Sequence, residues 1–455
     1  MRHLAPGEFP SQPLGGLSST ISSMHAAQSF NSWLRQRSAL ALSLVLLLGL
    51  SACGGGGGGG ASPTGSPTGA ASSPGTPASS PSASKPLSLQ AQLGEKIFHD
   101  RNLSGSGRMS CATCHDPAFF HGPPNTLPVQ VGGAFETEFG TRAAPSLRYL
   151  ETLPAFNGTP QTLVADLRGG LMADGRADSL AAQAKLPWFN PREMDNGDAA
   201  TLARKLRAAA YASDFGRAFP PAAGASAPDD DSLVTQASQA LQSFQVEDPR
   251  FHPYDSKFDW VQQGRAQFSN AEARGLRAFN DTQRGHCASC HPSFSLNNQP
   301  IHFTNFAYAA LAVPRNRALQ STADATAFDL GLCQSPHAAV KGRNETCGFF
   351  RTPGLRNVEH RPVFFHNGSF TSLEQVLRFY ATRDTDPAQW YPTVAGQLQL
   401  YDDLPLALHA NVESKAPFGP RRMMSDSDIA DILCFLRTLS DGYTGPATPP
   451  SPGCN

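Results

Sequence analysis

Residues 110–117 read SCATCHDP, and residues 287–292 read CASCHP. Each stretch places two cysteines and a histidine in the spacing Cys-x-x-Cys-His. This spacing is typical of c-type haem attachment, because the two thiols form thioethers with the porphyrin and the adjacent histidine coordinates the iron. The sequence therefore predicts two covalently bound c-type haems. The attachment residues would be Cys111, Cys114 and His115 for the first haem, and Cys287, Cys290 and His291 for the second.

A single Cys-x-x-Cys also occurs in redox dithiols, in half of a zinc site and in disulfide turns. A zinc site would need a second pair of cysteines or histidines nearby, and no such pair lies close to Cys111 in the sequence. Two complete copies of the longer motif in one chain favour haem over all of these alternatives.

The composition excludes one class of partner. The chain has 455 residues, of which 16% are charged, and a formal net charge of −1. The chain shows no excess of basic residues, so its composition does not indicate nucleic-acid binding. The length allows two or three domains.

The N-terminus has the features of an export signal. Arg35 and Arg37 precede an apolar run, SALALSLVLLLGLSAC, which ends at Cys53 and resembles a bacterial lipobox. We expect residues 1–52 to be a lipoprotein signal peptide, with Met24 as the true start, and Cys53 to carry the lipid. The protein would then sit on the periplasmic side of a bacterial membrane, anchored by lipid and expected at the outer membrane.

Residues 53–86 are rich in glycine, serine and proline and begin with seven glycines after Cys53. Such a segment cannot bury enough apolar surface to fold, so we expect a disordered linker. The globular part would begin at residue 87.

Cysteine usage agrees with an oxidising compartment. Once lipid and haem cysteines are assigned, an even set of four remains out of nine. Three pairings are possible, and proximity in sequence favours two disulfides. The favoured pairs are Cys333 with Cys347 and Cys434 with Cys454.

The segments before the two motifs look like an internal duplication. Gly94 and Phe98 precede the first motif, and Gly275 and Phe279 precede the second with the same spacing. Ser269 with Glu272 predicts a capping box at the second of these helices. Helical spacing recurs in the stretches from Leu233 to Phe244 and from Ile429 to Leu439, whereas alternating strand patterns are scarce.

The fold prediction is a mainly α protein with two cytochrome c-like haem domains packed together, after the signal peptide and linker. We assign residues 87–255 to the N-terminal domain, residues 256–445 to the C-terminal domain, and residues 446–455 to a tail.

The surroundings of the two irons are expected to differ. Between His121 and His252 the sequence has no histidine, so few residues of the first domain can fill a sixth coordination position. Met172 and Met194 remain candidates. In the same domain, the segment from Gln183 to Glu193 carries a carboxylate that could move a proton between peroxide oxygens. A surface or capping role for Glu193 is the alternative.

For the second iron, Leu373, Val376, Leu377 and Tyr380 share one helical face. Tyr380 therefore points inward, either as a core residue or as an iron ligand that favours ferric over ferrous iron. Met423 and Met424 are rival ligands in a loop-like stretch. His121 and His366 are expected to be ordinary core or loop histidines, with a role beside the iron on its distal side as the alternative.

Eight motifs, in this order, resemble the bacterial dihaem cytochrome c peroxidase family, which includes MauG-type enzymes. They are LGEKIF, LSGSGRMSCATCHDP, GTRAAPSL, DGRADSLAAQAKLPWFNPREM, CASCH, FFRTPGLRNV, FFHNGSFTSLEQVLRFY and FLRTLSDGY. The resemblance implies a peroxidatic first haem and an electron-transferring second haem. It also implies that Gln183 and Glu193 are active-site residues and that Tyr380 is a ligand of the second iron, as in the MauG-type branch.

The sequence departs from the family pattern at three places. The usual distal histidine is absent, with Phe135 or a neighbour in its place. Ala173 replaces a bridging tryptophan, so electrons would travel through Trp188 or directly between the haem edges. Ala143 replaces an asparagine that binds calcium in the family, which argues against a calcium ion here.

The leading functional hypothesis is reduction of hydrogen peroxide to water, with electrons from a small periplasmic donor, a cytochrome c or a cupredoxin. The alternatives are a MauG-like long-range oxidase of a protein or organic substrate and a non-catalytic electron-relay cytochrome.

Overall fold

The structure is a computed structural model that describes residues 85–224, 226–295, 299–319, 326–445, 448 and 451–455. The predicted signal peptide, Cys53, nearly all of the linker and part of the tail lie outside these residues. The described residues belong to one compact unit, Pro81–Asn455.

The described part of the chain is mainly helical, as predicted. Its longer helices are α1 (Leu89–His99), α3 (Leu180–Phe189), α4 (Ala199–Ala208), α6 (Asp230–Glu247), α8 (Asn270–Asn280), α9 (Leu373–Thr382) and α10 (Asp426–Arg437). The short helices are α2 (Cys111–Cys114), α5 (Asp214–Ala218) and α7 (Lys257–Gln262). Three antiparallel two-residue ladders pair β1 (Val131–Gly132) with β2 (Glu138–Phe139), β3 (Tyr308–Ala309) with β4 (Phe350–Arg351), and β5 (Thr393–Val394) with β6 (Gln397–Leu398).

The duplication suggested by the sequence is visible as two equivalent helix crossings. Helix α1 packs on α6 where Gly94 meets the backbone of Ala240, and α8 packs on α10 where Gly275 meets the backbone of Asp431. No side chain fits at either glycine, because a Cβ would overlap the facing carbonyl oxygen. The glycines therefore allow the helix backbones to touch.

Phenylalanines extend the equivalence beside each crossing. The Phe98 and Phe244 rings meet edge to face at 5.6 Å, and those of Phe279 and Phe435 do so at 5.2 Å. Such edge-to-face pairs are favourable beyond the area that they bury. Each half of the molecule thus repeats the same helix pair around the same aromatic contact.

Two hydrophobic cores follow from the two crossings. One core consists of residues from the range 93–251, and the other of residues from the range 258–439. We refer to residues 85–255 as the N-terminal half and to residues 256–455 as the C-terminal half. Ion pairs join the halves: Arg142 binds Asp329 at 2.6 Å, and Arg148 binds Asp441 at 2.6 Å.

Two sequence predictions about local structure are confirmed. Ser269 and Glu272 form the capping box of α8. Disulfides join Cys333 to Cys347 and Cys434 to Cys454, the pairing favoured by proximity in sequence.

Over the residues that the structure describes, no helix combines the length and the apolar character needed to cross a membrane.

Replacing Gly94 by alanine should destabilise the protein by about 1–3 kcal/mol or more, because the new methyl group overpacks the contact with α6. Gly216 in α5 is the matched control, since a Cβ there meets no atom within 4 Å. Gly216→Ala should be neutral or stabilising by roughly 0.5–1 kcal/mol, because alanine is the better helix former. Thermal unfolding of both variants measures the difference, and equal melting temperatures would contradict the close crossing.

Candidate active site

One cavity of about 760 Å³ is lined by both Cys-x-x-Cys-His motifs. Residues of the N-terminal and C-terminal halves share its walls. The four motif cysteines are free rather than paired in disulfides. The two sites predicted from the sequence therefore face a common space.

At the first motif, α2 holds Cys111 and Cys114, and Ser110 with Thr113 forms its capping box. The Nδ1 atom of His115 lies 3.0 Å from the carbonyl oxygen of Pro145. Because a carbonyl only accepts, Nδ1 must carry the proton, which leaves the Nε2 lone pair available to a metal. Burial lowers the pKa of His115 to about 4, which keeps the ring neutral.

The second motif repeats this arrangement. Cys287 begins a single 3₁₀ turn, and Nδ1 of His291 lies 2.8 Å from the carbonyl oxygen of Phe303. Burial lowers the pKa of His291 to about 4 as well. Both histidines are therefore oriented by a backbone acceptor and present Nε2 as a ligand atom.

Two arginines of the C-terminal half show that the cavity suits an anionic group. Arg351 and Arg361 line it, and within the described ranges neither guanidinium has a carboxylate at ion-pair distance. Burial lowers the pKa of Arg361 to about 10. A partly buried cation without a counter-charge is costly, so these side chains fit the propionates of a haem. Free thiols, oriented histidines and unpaired arginines together suit two haems.

Glu193 and Gln183 both line the cavity. Gln183 is carried by α3, and Glu193 lies four residues beyond its end. The side-chain amide of Asn190 donates to Glu193 Oε1 at 2.8 Å, which orients the carboxyl group. Burial raises the pKa of Glu193, and its charge acts on Cys114, so it lies beside the first motif. A carboxyl group in this position can accept a proton and give it up again.

Tyr380 lies on α9 and lines the cavity beside the second motif. Burial raises the pKa of its hydroxyl, and the neighbouring Cys290 and Cys287 raise it further. Its ring packs against Phe418 at 5.4 Å between centroids. The structure thus brings Tyr380 to the second motif, while Glu193 stands at the first.

Three of the four methionines considered as iron ligands line the cavity. Met172, Met194 and Met424 line the cavity, whereas Met423 is not among its described lining residues. Met424 is completely buried in the C-terminal core.

The two histidines outside the motifs differ in their environments. His121 packs on Phe251 at 4.0 Å and is not among the described cavity-lining residues, in keeping with a core role. Burial lowers its pKa to about 3. His366 lines the cavity, stacks on Phe350 at 3.7 Å, and has an Nε2 atom without a hydrogen-bond partner.

Of the two alternatives for the distal position, Phe135 or a neighbour, the first is wrong. Its side chain is 83% exposed, and its neighbours Val131 and Gly132 line the cavity instead. The β1–β2 hairpin presents Phe135 to solvent because the phenylalanine lies in the connecting turn.

The structure also shows where the two alanines lie that replace a tryptophan and an asparagine of the family pattern. Ala173 and Ala143 both line the cavity, while Trp188 is 1% exposed and packs in the N-terminal core. Trp188 is not among the described residues of the cavity wall. In the described ranges, no group of three or more His, Cys, Asp or Glu side chains could hold a metal ion.

Sequence reasoning missed several residues of this cavity. Arg351 and Arg361 follow the second motif by 60 residues or more, yet Arg361 reaches the first site and interacts with His115. Tyr149 also lines the cavity, and its hydroxyl donates to Asp441 near the other end of the chain. No local pattern marks these residues, since only the packing of the two halves brings them together.

Comparisons with known proteins agree with this geometry. A family model described as di-haem cytochrome c peroxidase matches residues 88–267. The methylamine utilization protein MauG of Paracoccus denitrificans is 32% identical over 365 residues, covering 77% of this chain and 88% of the relative. A cytochrome c551 peroxidase of Pseudomonas aeruginosa is 28% identical over 289 residues, covering 63% of this chain and 70% of the relative.

A solved structure is similar over most of the chain. The crystal structure of the diheme peroxidase BthA from Burkholderia thailandensis superposes with a TM-score of 0.71 at 37% sequence identity. The match covers 78% of this chain and 87% of that one.

Fold and motifs together define a protein of the dihaem cytochrome c class. The chain belongs to the di-haem cytochrome c peroxidase family, in which MauG proteins are also found, and it is an oxidoreductase. Membership implies two c-type haems, for which the cavity supplies two matching sets of residues.

Replacing Tyr380 by phenylalanine should change the absorption and magnetic resonance spectra of the haem at the second motif, because a phenyl ring cannot coordinate iron. The matched control is Tyr391→Phe, a buried tyrosine of the same half whose hydroxyl donates to the carbonyl of Ala312 at 2.6 Å. The control should keep the original spectra. Identical spectra for Tyr380→Phe and the unmodified protein would leave Tyr380 with a packing role only.

Proposed function

We propose that this protein reduces hydrogen peroxide to water, with electrons supplied by a small periplasmic donor such as a cytochrome c or a cupredoxin. The observation that carries the proposal is the position of Glu193, whose oriented carboxyl group with a raised pKa faces the cavity beside the first motif. An electron-relay protein has no use for such a group, whereas peroxide cleavage requires a proton carrier.

The proton chemistry follows from the balance of the reaction. Cleavage of the O–O bond consumes two electrons and two protons and yields two molecules of water. The Glu193 carboxylate would take the proton from the attacking peroxide oxygen and deliver it to the departing one. Gln183, which faces the same cavity, would help to position the peroxide through its amide. The haems would supply the redox centres.

The two halves would divide the work. Residues 87–255 would form the peroxidatic domain, and residues 256–445 the electron-transfer domain, with residues 446–455 as a tail. The two separate hydrophobic cores and the two equivalent motifs support this division. The cysteines of each motif would hold one haem, and His115 and His291 would be the proximal ligands of the two irons. Tyr380 would be the second ligand of the iron at His291.

A second candidate function is favoured by Tyr380. A phenolate ligand stabilises oxidised iron, which suits a MauG-like enzyme that oxidises a protein or organic substrate over a long distance. The 32% identity to a MauG protein supports this candidate too. Direct assays with peroxide and a reduced cytochrome separate the candidates, since only the peroxidase would oxidise the donor at each turnover.

The proposal includes export. Two disulfides indicate an oxidising compartment such as the periplasm. We infer that residues 1–52, or those from Met24 onward, act as the signal and that residues 53–86 tether the protein to the outer membrane through lipid on Cys53. Lipid labelling that persists in Cys53→Ala would contradict this anchor.

Glu193→Gln should leave both haems attached and lower peroxide turnover by about a hundredfold or more, because glutamine cannot accept the proton. The pH profile gives a second readout. As pH falls through the raised pKa of Glu193, the carboxylate is protonated and the activity of the unmodified protein should drop, at a pH above the ordinary range for glutamate, about 4.3. The variant should lack this limb.

Glu138→Gln is the control for that variant. Glu138 is exposed, belongs to the nearby strand β2 and is not among the described cavity-lining residues. The control should retain full turnover. Normal turnover in Glu193→Gln would remove Glu193 from the mechanism and the main support for the proposed peroxidase.

A further inference from the structure

Tyr149 occupies an unusual position where the two halves meet. Its ring lines the cavity shared by both motifs, and the residue is only 6% exposed. Its hydroxyl donates a hydrogen bond to Asp441 Oδ1, across the boundary between the halves. The side chain thus joins the cavity to a buried carboxylate, which can accept a proton.

Asp441 is held in place as an acceptor. Arg148 donates to its Oδ2 atom at 2.6 Å, and the side-chain amide of Asn357 donates to the same atom at 2.6 Å. The Asp441 side chain is 4% exposed. Because Oδ2 is occupied by these donors, Oδ1 remains directed at the phenol of Tyr149.

A second tyrosine continues the arrangement away from the cavity. The Tyr254 ring lies 5.0 Å from that of Tyr149, its backbone N–H donates to the Tyr149 hydroxyl oxygen at 3.3 Å, and its own hydroxyl donates to Glu151. Tyr254 is only partly buried. Two phenols in contact, each bonded to a carboxylate, therefore lead from the cavity toward the surface.

The charge near this pair is balanced. The Arg356 guanidinium lies 4.8 Å from the centre of each tyrosine ring, but it makes two hydrogen bonds of 2.8 Å to Asp259. A positive charge alone would oppose removal of an electron from the rings. Its carboxylate partner offsets that effect, and transfer of the phenolic proton to Asp441 keeps the tyrosine neutral.

The other tyrosines do not combine these features. The chain has eight tyrosines, all within the described ranges. Tyr211 donates to Asp100 at 2.7 Å but is not a described cavity residue. Tyr308 lies outside the described lining too and bonds to a backbone carbonyl, while Tyr380 lines the cavity with no carboxylate bonded to it.

We propose that Tyr149 is a redox-active residue that gives one electron when peroxide is reduced and no donor is bound. This inference rests on the proposed peroxide chemistry. Hydrogen peroxide takes two electrons, and two protons from solvent, to form two waters; Tyr149 supplies one electron and the haem system the other. The phenolic O–H bond breaks, its proton moves to Asp441, and a neutral tyrosyl radical remains. One electron from the donor and the proton returning from Asp441 restore the phenol, and a second donor electron restores the haem system.

Tyr254 extends this role to the surface. An electron from Tyr254 can reduce the Tyr149 radical, which takes its proton back from Asp441, while the Tyr254 proton passes to Glu151. The oxidising equivalent thereby moves from Tyr149 to Tyr254, away from the cavity. The class of molecule that this route would oxidise is a one-electron donor docked near Tyr254. The route uses the chain's own phenols and does not require Trp188.

The test is electron paramagnetic resonance of the intact dihaem protein, frozen shortly after peroxide is added without a donor. We expect a tyrosyl radical whose hyperfine pattern changes when the cells are fed ring-deuterated tyrosine. Tyr149→Phe should reduce this signal to background, and Tyr211→Phe, which removes a phenol that is also bonded to a carboxylate, should retain it. Haem content by mass spectrometry shows whether each variant assembled.

Each outcome of this experiment either supports or contradicts a radical on Tyr149. A radical that survives in Tyr149→Phe, or whose pattern ignores deuteration, would overturn the assignment. Haem absorption that responds to peroxide with no radical would overturn the assignment and leave the proposed peroxidase intact. Haem absorption that does not respond to peroxide would contradict both the radical assignment and the proposed peroxidase. Should Tyr149→Phe fail to assemble, Asp441→Asn replaces it, and an undiminished radical there would equally contradict the proposal.

Discussion

Two attachment motifs, whose histidines are oriented in the same way, open into one cavity, and this shared space is the constraint from which the other features follow. Helix crossings at Gly94 and Gly275 create the two halves, and each half orients its histidine through a backbone carbonyl. Since both histidines are oriented in the same way, we expect the functional difference to come from the remaining walls. Those walls are supplied by segments of both halves.

The walls make the two sites chemically unequal. A carboxyl group with a raised pKa stands at the first motif, whereas a phenol stands at the second. A carboxyl group serves proton transfer, and a phenol serves to close a coordination position or to stabilise oxidised iron. Partly buried arginines from the C-terminal half add positive charge, and Arg361 extends it to the first site. The interface between the N-terminal and C-terminal halves therefore contributes residues to both motif sites.

Features that depend on local sequence were the most predictable. The motifs, the capping box at Ser269, the helical faces and the disulfide pairs depend on residues close together in the chain, and the structure has each of them. Glu193 was singled out by its segment, Tyr380 by its helical face, and both by the family resemblance; the structure brings both to the cavity.

Contacts between residues far apart in the chain could not be predicted from the sequence. The partners Tyr149 and Asp441 are separated by 292 positions, and no pattern connects them. Phe135 was misplaced because a single apolar residue in a turn gives no sign of whether it faces the cavity or water, and here it faces water. The packing of two halves, which no local signal encodes, decides such cases.

Electron paramagnetic resonance of the purified ferric protein tests the central claim, that one polypeptide holds two haems in unequal surroundings. The account predicts one high-spin signal that changes on addition of peroxide and one low-spin signal of equal amount. Two low-spin signals that ignore peroxide, or fewer than two haems per chain, would contradict it.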